Sequence, residues 1–466
     1  MATNNEAAAA PADIEEAGSV AYVVLLTMVA ALGGLLFGYD TAVVSGAIGF
    51  MGKRFGLSHL GAGWAASCAL VGCIIGACFA GTLSDRLGRK KVLLFTAVLF
   101  GVSALGSALP RNLAEYVIAR IVGGMGVGMA SMLSPLYIAE VSPARIRGRL
   151  VSVNQLAIIF GMLVVYFVNA RVARLGDEAW NVAAGWRWMF GSETLPAVVF
   201  LMLLFFVPES PRWLTKQGQS KKARVILARI GGQGHASREI AEIEDAIGHE
   251  GGSIFQLLLP GMRRPLLIGV GLAILQQVTG INTVLYFAPE IFKSAGLAAT
   301  QAISDTVLVG VVNLAFTIVA IWVVDRVGRK PLLLIASAGM GVSLTLLSGS
   351  FVFRRFEGPW VLLLVLLYVA SFAVAMGPVV WVVMSEIFPT RIRGRAMSIA
   401  TVCLWISCFC VSQFFLYLLA ELGGYAFLIY AGMCLVSFVF VFFGVPETKG
   451  KSLEEIEKGW MVRSGK

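Results

Sequence analysis

Asp85-Arg86-Leu87-Gly88-Arg89-Lys90 returns 240 residues later as Asp325-Arg326-Val327-Gly328-Arg329-Lys330. A second phrase, Ser142-Pro143-Ala144-Arg145-Ile146-Arg147-Gly148-Arg149, echoes at an offset of 246 in Phe388-Pro389-Thr390-Arg391-Ile392-Arg393-Gly394-Arg395. A third echo pairs Pro208-Glu209-Ser210 with Pro446-Glu447-Thr448. Three echoes in one order at nearly constant spacing predict two structurally equivalent halves.

The sequence around these phrases is strongly apolar. Hydrophobic residues make up 58% of the chain and charged residues 14%, with a mean hydropathy of +0.82, whereas a soluble domain carries about a quarter charged residues. The charges are segregated, leaving twelve apolar stretches near 20–49, 62–84, 91–109, 113–138, 150–171, 188–207, 265–290, 303–323, 331–352, 359–385, 396–420 and 425–444. Each is long enough to cross a bilayer as a helix. The expected fold is therefore an all-α membrane protein with twelve transmembrane helices in two pseudo-symmetric six-helix halves. Duplicated halves of this kind move solutes by rocking around a central site.

The expected divisions are a disordered tail over 1–19, a first half over 20–208, a linker with short helices over 209–263, a second half over 264–445 and a tail over 446–466. The first residues have no basic segment and do not resemble a cleaved signal peptide. With both termini on one side, 27 of the 37 Lys and Arg residues fall on that side, which predicts cytoplasmic termini in a multi-pass cell membrane protein. In a bacterium this is the inner membrane. The net charge of +10 then reports topology rather than affinity for nucleic acid.

Several classes of function are excluded by what the polar residues cannot do. The seven Cys residues all fall in apolar stretches and the three His residues in loops, without metal-ligand spacing. The linker is too short for an independent enzymatic domain and carries no phosphate loop. No metal, cofactor, nucleotide or nucleic-acid partner is expected, and no enzymatic activity. The expected partners are a solute, a co-transported ion and the lipid bilayer, with the protein acting as a monomer.

Two ionisable residues lie inside spans, Asp40 in the first and Arg120 in the fourth. Charges at such depth are costly, usually paired, and functional by default. Burial favours the neutral acid while a nearby guanidinium favours the carboxylate. A partner that moves during rocking would therefore load and unload a proton at Asp40. Amides also lie inside the spans: Gln155, Gln276, Gln277, Asn282 and Asn313, with aromatic residues Phe37, Tyr286, Phe372, Trp381 and Trp405. Amides both donate and accept, and aromatic walls cover apolar ring faces, which together suit a sugar. A lone buried amide is more often helix glue, but three close together in Gln276-Gln277-x4-Asn282 exceed what packing requires.

Taken in order, these motifs resemble the sugar-porter family of the major facilitator superfamily. The shared stretches include Gly33-Gly34-Leu35-Leu36-Phe37-Gly38-Tyr39-Asp40-Thr41-Ala42-Val43, Asn154-Gln155, Gln276-Gln277-x-x-Gly280-Ile281-Asn282, Pro208-Glu209-Ser210-Pro211-Arg212 and Pro446-Glu447-Thr448-Lys449-Gly450. Within the family the pattern is most similar to the bacterial proton-coupled xylose symporters. The resemblance implies that Asp40 and Arg120 couple protons together with Glu193, the matching carboxylate of the sixth span. It implies sugar contacts from Gln155, Gln276, Gln277, Asn282 and Trp381. It also implies a cytoplasmic charge network of Asp85, Arg86, Arg89, Glu140, Arg147 and Arg149, repeated as Asp325, Arg326, Arg329, Glu386, Arg393 and Arg395. Such a network would latch the cytoplasmic side, and several partly buried pairs bias a two-state equilibrium by a few kcal/mol, on the order of what switching requires. Gly88 and Gly328 would permit the tight turns.

The implied activity is proton-coupled monosaccharide symport by alternating access. Asp40 decides against the facilitative relatives, which carry Asn there. Leu404 and Met162 replace amides of the xylose-symporter pattern, so the sugar is a xylose-like pentose or a hexose. A proton-independent uniporter and a non-transporting sugar sensor are the rival readings.

Overall fold

A computed structural model describes residues 18–248, 263–354, 359–388 and 393–449. Of the tails read above over 1–19 and 446–466, residues 1–17 and 450–466 lie outside the described residues, as do the linker segment 249–262, Arg391, and the side chains of Asp325 and Arg393.

The first six spans comprise α1 (Val20–Ala42), α2 (Val44–Phe55), α3 (His59–Leu87), α4 (Arg89–Ala108), α5 (Leu113–Val141) and α6 (Arg147–Ala173), then α7 (Glu178–Trp180), a π-helical turn (Asn181–Gly185), α8 (Trp186–Gly191) and α9 (Thr194–Leu204). The linker forms α10 (Pro211–Lys216), α11 (Ser220–Gly231) and α12 (Gln233–Gly248). The last six spans comprise α13 (Arg263–Val278), α14 (Ile281–Ser294), α15 (Ala299–Val327), α16 (Arg329–Val352) and α17 (Trp360–Ser371), a second π-helical turn (Phe372–Met376), then α18 (Gly377–Ile387), α19 (Arg393–Leu422) and α20 (Tyr425–Gly444). Among the described residues, twelve helical segments are long and apolar enough to cross a membrane. They overlay the twelve expected stretches but run further at several ends, because charged residues add turns once the apolar core of a helix is fixed.

The duplicated motifs sit on helix ends rather than in long loops. Asp85 and Arg86 close α3, Arg89 opens α4, and Gly88 alone makes the turn with φ 97° and ψ 160°. Gly328 does the same between α15 and α16 with φ 105° and ψ 162°. That region of backbone space is open essentially to glycine alone. At Gly328 an added Cβ would also stand 2.8 Å from the Glu447 carboxylate.

Glycine also sets how closely the spans pack. Added Cβ atoms on Gly72, Gly76, Gly124 and Gly128 would strike backbone atoms of the facing helix, so α3 and α5 touch backbone to backbone. In a bilayer, close packing of small residues replaces the hydrophobic drive between helices. The linker helices pack on the first half: the Ser19 amide donates to the Arg229 carbonyl at 3.0 Å, and Trp213 Nε1 donates to the Asp85 carbonyl at 2.9 Å.

The described polar contacts between the halves lie at the end opposite the duplicated motifs. Ser67 Oγ donates to Gln413 Oε1 at 2.8 Å, and Gln413 Nε2 donates to the Leu60 carbonyl at 3.1 Å. Tyr166 donates to the Leu285 carbonyl at 2.8 Å, and Arg174 to Ser304 at 2.8 Å. The Lys293 ammonium of α14 stands 6.0 Å over the Phe50 ring of α2. This end of the molecule is closed.

Candidate functional site

Asp40 occupies the last turn of α1, which runs through a helical Val43 (φ −58°, ψ −33°) into α2. Arg120 lies two turns into α5 and reaches across: Nη1 donates to Asp40 Oδ1 at 2.5 Å and Nη2 to the Asp40 carbonyl at 2.8 Å. Asp40 is 0% exposed and Arg120 1%. The guanidinium lies 5.3 Å from the Phe190 ring centre, a cation–π contact that partly replaces lost hydration. Gly123 gives the pair room, since its Cβ would collide with Ser103 and stand 3.3 Å from Asp40 Oδ1.

Glu193 joins this pair from a break in the sixth span. Pro196 has no N–H to bond back to residue 192, and the helix is interrupted at Ser192 and Glu193. The buried Glu193 carboxyl lies against that of Asp40. Among the described residues, Asp40 Oδ2 and both Glu193 oxygens have no hydrogen-bond donor. Two carboxylates facing one guanidinium hold one negative charge in excess if both are ionised. A single proton between Asp40 and Glu193 balances the charge and supplies the absent donor. The arrangement can therefore hold one proton.

The amides meet at a second helix break. Gly280, with φ 95°, ends α13 and starts α14, putting Gln276 and Gln277 in the last turn before the break and Asn282 in the first turn after it. They form a chain: Asn282 Nδ2 donates to Gln277 Oε1 at 2.6 Å, Gln277 Nε2 to Gln276 Oε1 at 3.3 Å, and Gln276 Nε2 to the Met376 and Gly377 carbonyls at 2.7 and 3.1 Å. Those carbonyls lie where the π-helical turn Phe372–Met376 meets α18, and holding them occupies the Gln276 amide as glue. Gln277 and Asn282 keep spare amide valences. Asn282 also donates to Cys408 Sγ at 3.0 Å, against which Tyr286 packs. The role of Cys408 was not legible in sequence, where cysteines read as packing.

The remaining candidates lie on other helices. The Phe37 ring of α1 and the Trp405 ring of α19 lie 5.6 Å apart, joining the halves. Trp405 is 4% exposed and its Nε1 has no acceptor. Gln155 on α6, Trp381 on α18 and Phe372 are half-buried, and Asn313 on α15 is buried. None of the described hydrogen bonds ties Gln155 or Asn313 to the amide chain.

The charged motifs form one cluster in each half. Arg89 pairs with Glu140 at 3.0 Å and with Asp85 at 3.0 Å, and Arg329 pairs with Glu386 at 3.0 Å. Arg147 turns to Glu239 of α12 at 3.3 Å. Arg326 stacks 3.8 Å over Trp322, and Arg86, Arg149 and Arg395 are exposed, outside these pairs. Two members of the clusters were missed in sequence, although the third echo pointed at them. Glu209 accepts from the Arg89 and Lys90 amides at 2.9 and 3.1 Å. Glu447 accepts from those of Arg329 and Lys330 at 3.1 and 3.0 Å. Each carboxylate caps the free amides that open a span. Burial works to raise the Glu447 carboxyl, but the amides of Lys449, Arg329 and Lys330 outweigh it and hold the group below the usual glutamate range.

Twelve spans in repeated halves, closed at one end, with a buried ion pair and an amide cluster at a helix break, define a membrane transporter of polar solutes. The sugar (and other) transporter family model matches residues 26–460, and the chain belongs to that family. It is similar to the D-xylose-proton symporter of Escherichia coli, with 46% identity over 472 residues covering 94% of this chain and 96% of that protein. It is also 44% identical over 445 residues to the arabinose-proton symporter of Bacillus subtilis, covering 95% and 96%. The partially occluded inward-open structure of the E. coli xylose transporter XylE superposes with a TM-score of 0.84 at 44% identity, covering 93% of this chain and all of that one.

Proposed function

We propose that the protein is a proton-coupled monosaccharide symporter that works by alternating access in a bacterial inner membrane. The observation that carries this reading is the buried Asp40–Arg120–Glu193 cluster, built to hold one proton beside the joint between α1 and α2. The amide chain across the broken α13–α14 span is the sugar-recognising element, with Gln277, Asn282 and Gln155 hydrogen bonding to hydroxyls and Phe37, Trp381 and Trp405 covering the ring. Relatives include xylose and arabinose symporters, which supports a pentose or a similar hexose as cargo.

With the basic motifs on the cytoplasmic side, as their charge favours, the closed end is extracellular and the molecule faces inward. In this state the two charged clusters hold each half together separately. They meet as a latch when the cytoplasmic side closes. A proton entering from outside is shared by Asp40 and Glu193, leaves one negative charge against Arg120, and loosens the hold of Arg120 on Asp40. Its release to the cytoplasm restores the ion pair and resets the carrier.

Proteoliposome uptake of xylose, arabinose, glucose, galactose and fructose, with and without an inward proton gradient, tests the reading. Accumulation of one or more of them only under the gradient is expected. Equal plateau levels with and without it would favour a uniporter.

A further inference from the structure

Ser103 and Ser107 lie one turn apart on α4, both 0% exposed, and neither hydroxyl has a hydrogen-bond partner among the described residues. Helical hydroxyls in an apolar setting normally bond the carbonyl four residues back. On the same helix Thr96 does so, donating to the Val92 carbonyl at 2.8 Å. Under the 240-residue offset, Ser103 corresponds to Ser343, which donates to the Gly339 carbonyl at 2.7 Å, and Ser107 corresponds to Leu347. The pair of unpartnered hydroxyls thus occurs in the half that carries Asp40 and is lost at the matching places of the other.

Their position is equally specific. The Cβ that Gly123 lacks would collide with Ser103 Oγ and lie 3.3 Å from Asp40 Oδ1, so the hydroxyl and the carboxylate border the same spot. Ser107 is one turn further toward the end of α4, where Leu109 is 71% exposed. Arg187 fixes that end by donating to the Ala108 and Pro110 carbonyls at 3.0 and 2.9 Å. Thr194, next to Glu193, adds a further unpartnered hydroxyl. The titratable groups facing Asp40 are Arg120 and Tyr116 of α5, Glu193, and Cys68 and Cys73 of α3. None of these lies on α4, where the serines are.

Resting on the symport reading above, we propose that Ser103 and Ser107 line a hydrated proton path from the extracellular end of α4 to the Asp40–Glu193 pair, with Ser103 as the positioning residue. A hydroxyl accepts one hydrogen bond and donates another, so it orders water on both sides. An external hydronium gives its proton to the first bridging water. Each water passes a proton onward, the serines end unchanged, and the Asp40 carboxylate takes the proton.

The test uses full-length protein in proteoliposomes with radiolabelled xylose, or whichever sugar the uptake panel identifies. It compares proton-driven initial uptake with sugar exchange in the absence of a gradient. For the Ser103→Ala/Ser107→Ala double variant, the ratio of driven uptake to exchange is expected to fall about tenfold, less than the roughly hundredfold or more of a positioned proton-transfer group, because water still enters. Ser103→Thr and Ser103→Val have nearly one shape and differ by a hydroxyl, so Thr is expected to keep the ratio and Val to lose it. Equal ratios in the Thr and Val variants, or a double variant matching wild type, would overturn the path. With Asp40→Asn run alongside, loss of accumulation there together with unchanged serine ratios overturns the path alone. Accumulation surviving in Asp40→Asn overturns the symport reading and the path together.

Discussion

An offset of 242 sets Gly38-Tyr39-Asp40-Thr41 on Gly280-Ile281-Asn282-Thr283, and the two glycines answer different demands. Gly38 stays helical and lets α1 press on α6, where a Cβ would collide with the Ile158 carbonyl and stand 3.1 Å from the Met162 amide. Gly280 takes φ 95° and breaks its span. Gly38→Ala is expected to lower the stability of the detergent-solubilised protein by about 1–3 kcal/mol through overpacking, and Gly280→Ala by about 1–2 kcal/mol through backbone strain. Thermal unfolding would check both, and an unchanged midpoint in Gly38→Ala would contradict the close crossing. Two residues on, the repeat sets Asp40 against Asn282. The deep Asp40 and Arg120 were legible in sequence because charge in an apolar span stands out. The occupation of the Gln276 amide by backbone carbonyls was not legible, since it depends on a π-helical turn a hundred residues away. Gln277→Ala is accordingly expected to weaken sugar binding by about 0.5–1.5 kcal/mol, one hydrogen bond. Titration calorimetry that found no change would remove Gln277 from the site.

Helix ends are where the repeated phrases act. Glycine turns one span into the next, and a glutamate from a distant loop caps the new helix at Arg89 and again at Arg329. The echo of Pro-Glu-Ser and Pro-Glu-Thr was visible in sequence. Its purpose was not, because Glu209 lies 120 residues from the helix it caps. Glu447 is held below its ordinary value near 4.5, so the cap contributes stability above that pH and loses it as pH falls through the lowered value. Wild type should therefore lose thermal stability on acidification below about pH 4.5 more steeply than Glu447→Gln, which starts lower at neutral pH and changes less. Parallel curves for the two proteins would show that the cap carries no proton-linked stability.

At the scale of the molecule, two like halves perform unlike tasks. The duplicated phrases and the span count made the architecture readable, because hydropathy and repetition survive any detail of packing. Which end is closed was not readable, since both states use the same residues. The closed end depends on contacts such as Ser67–Gln413 and Tyr166–Leu285. Gln413→Ala removes two hydrogen bonds worth about 0.5–1.5 kcal/mol each, about 1–3 kcal/mol together, which shifts a two-state ratio by roughly fivefold to a hundredfold toward the opposite-facing form. Distance distributions between spin labels on the tips of α3 and α19 would report it, and an unaltered distribution would contradict the assigned closure. The central claim is that one buried carboxylate makes this sugar carrier a symporter. Its most direct measurement is sugar accumulation by Asp40→Asn in proteoliposomes under an inward proton gradient, beside exchange without one. The predicted result is exchange that persists with accumulation lost; accumulation at the wild-type level would contradict the account.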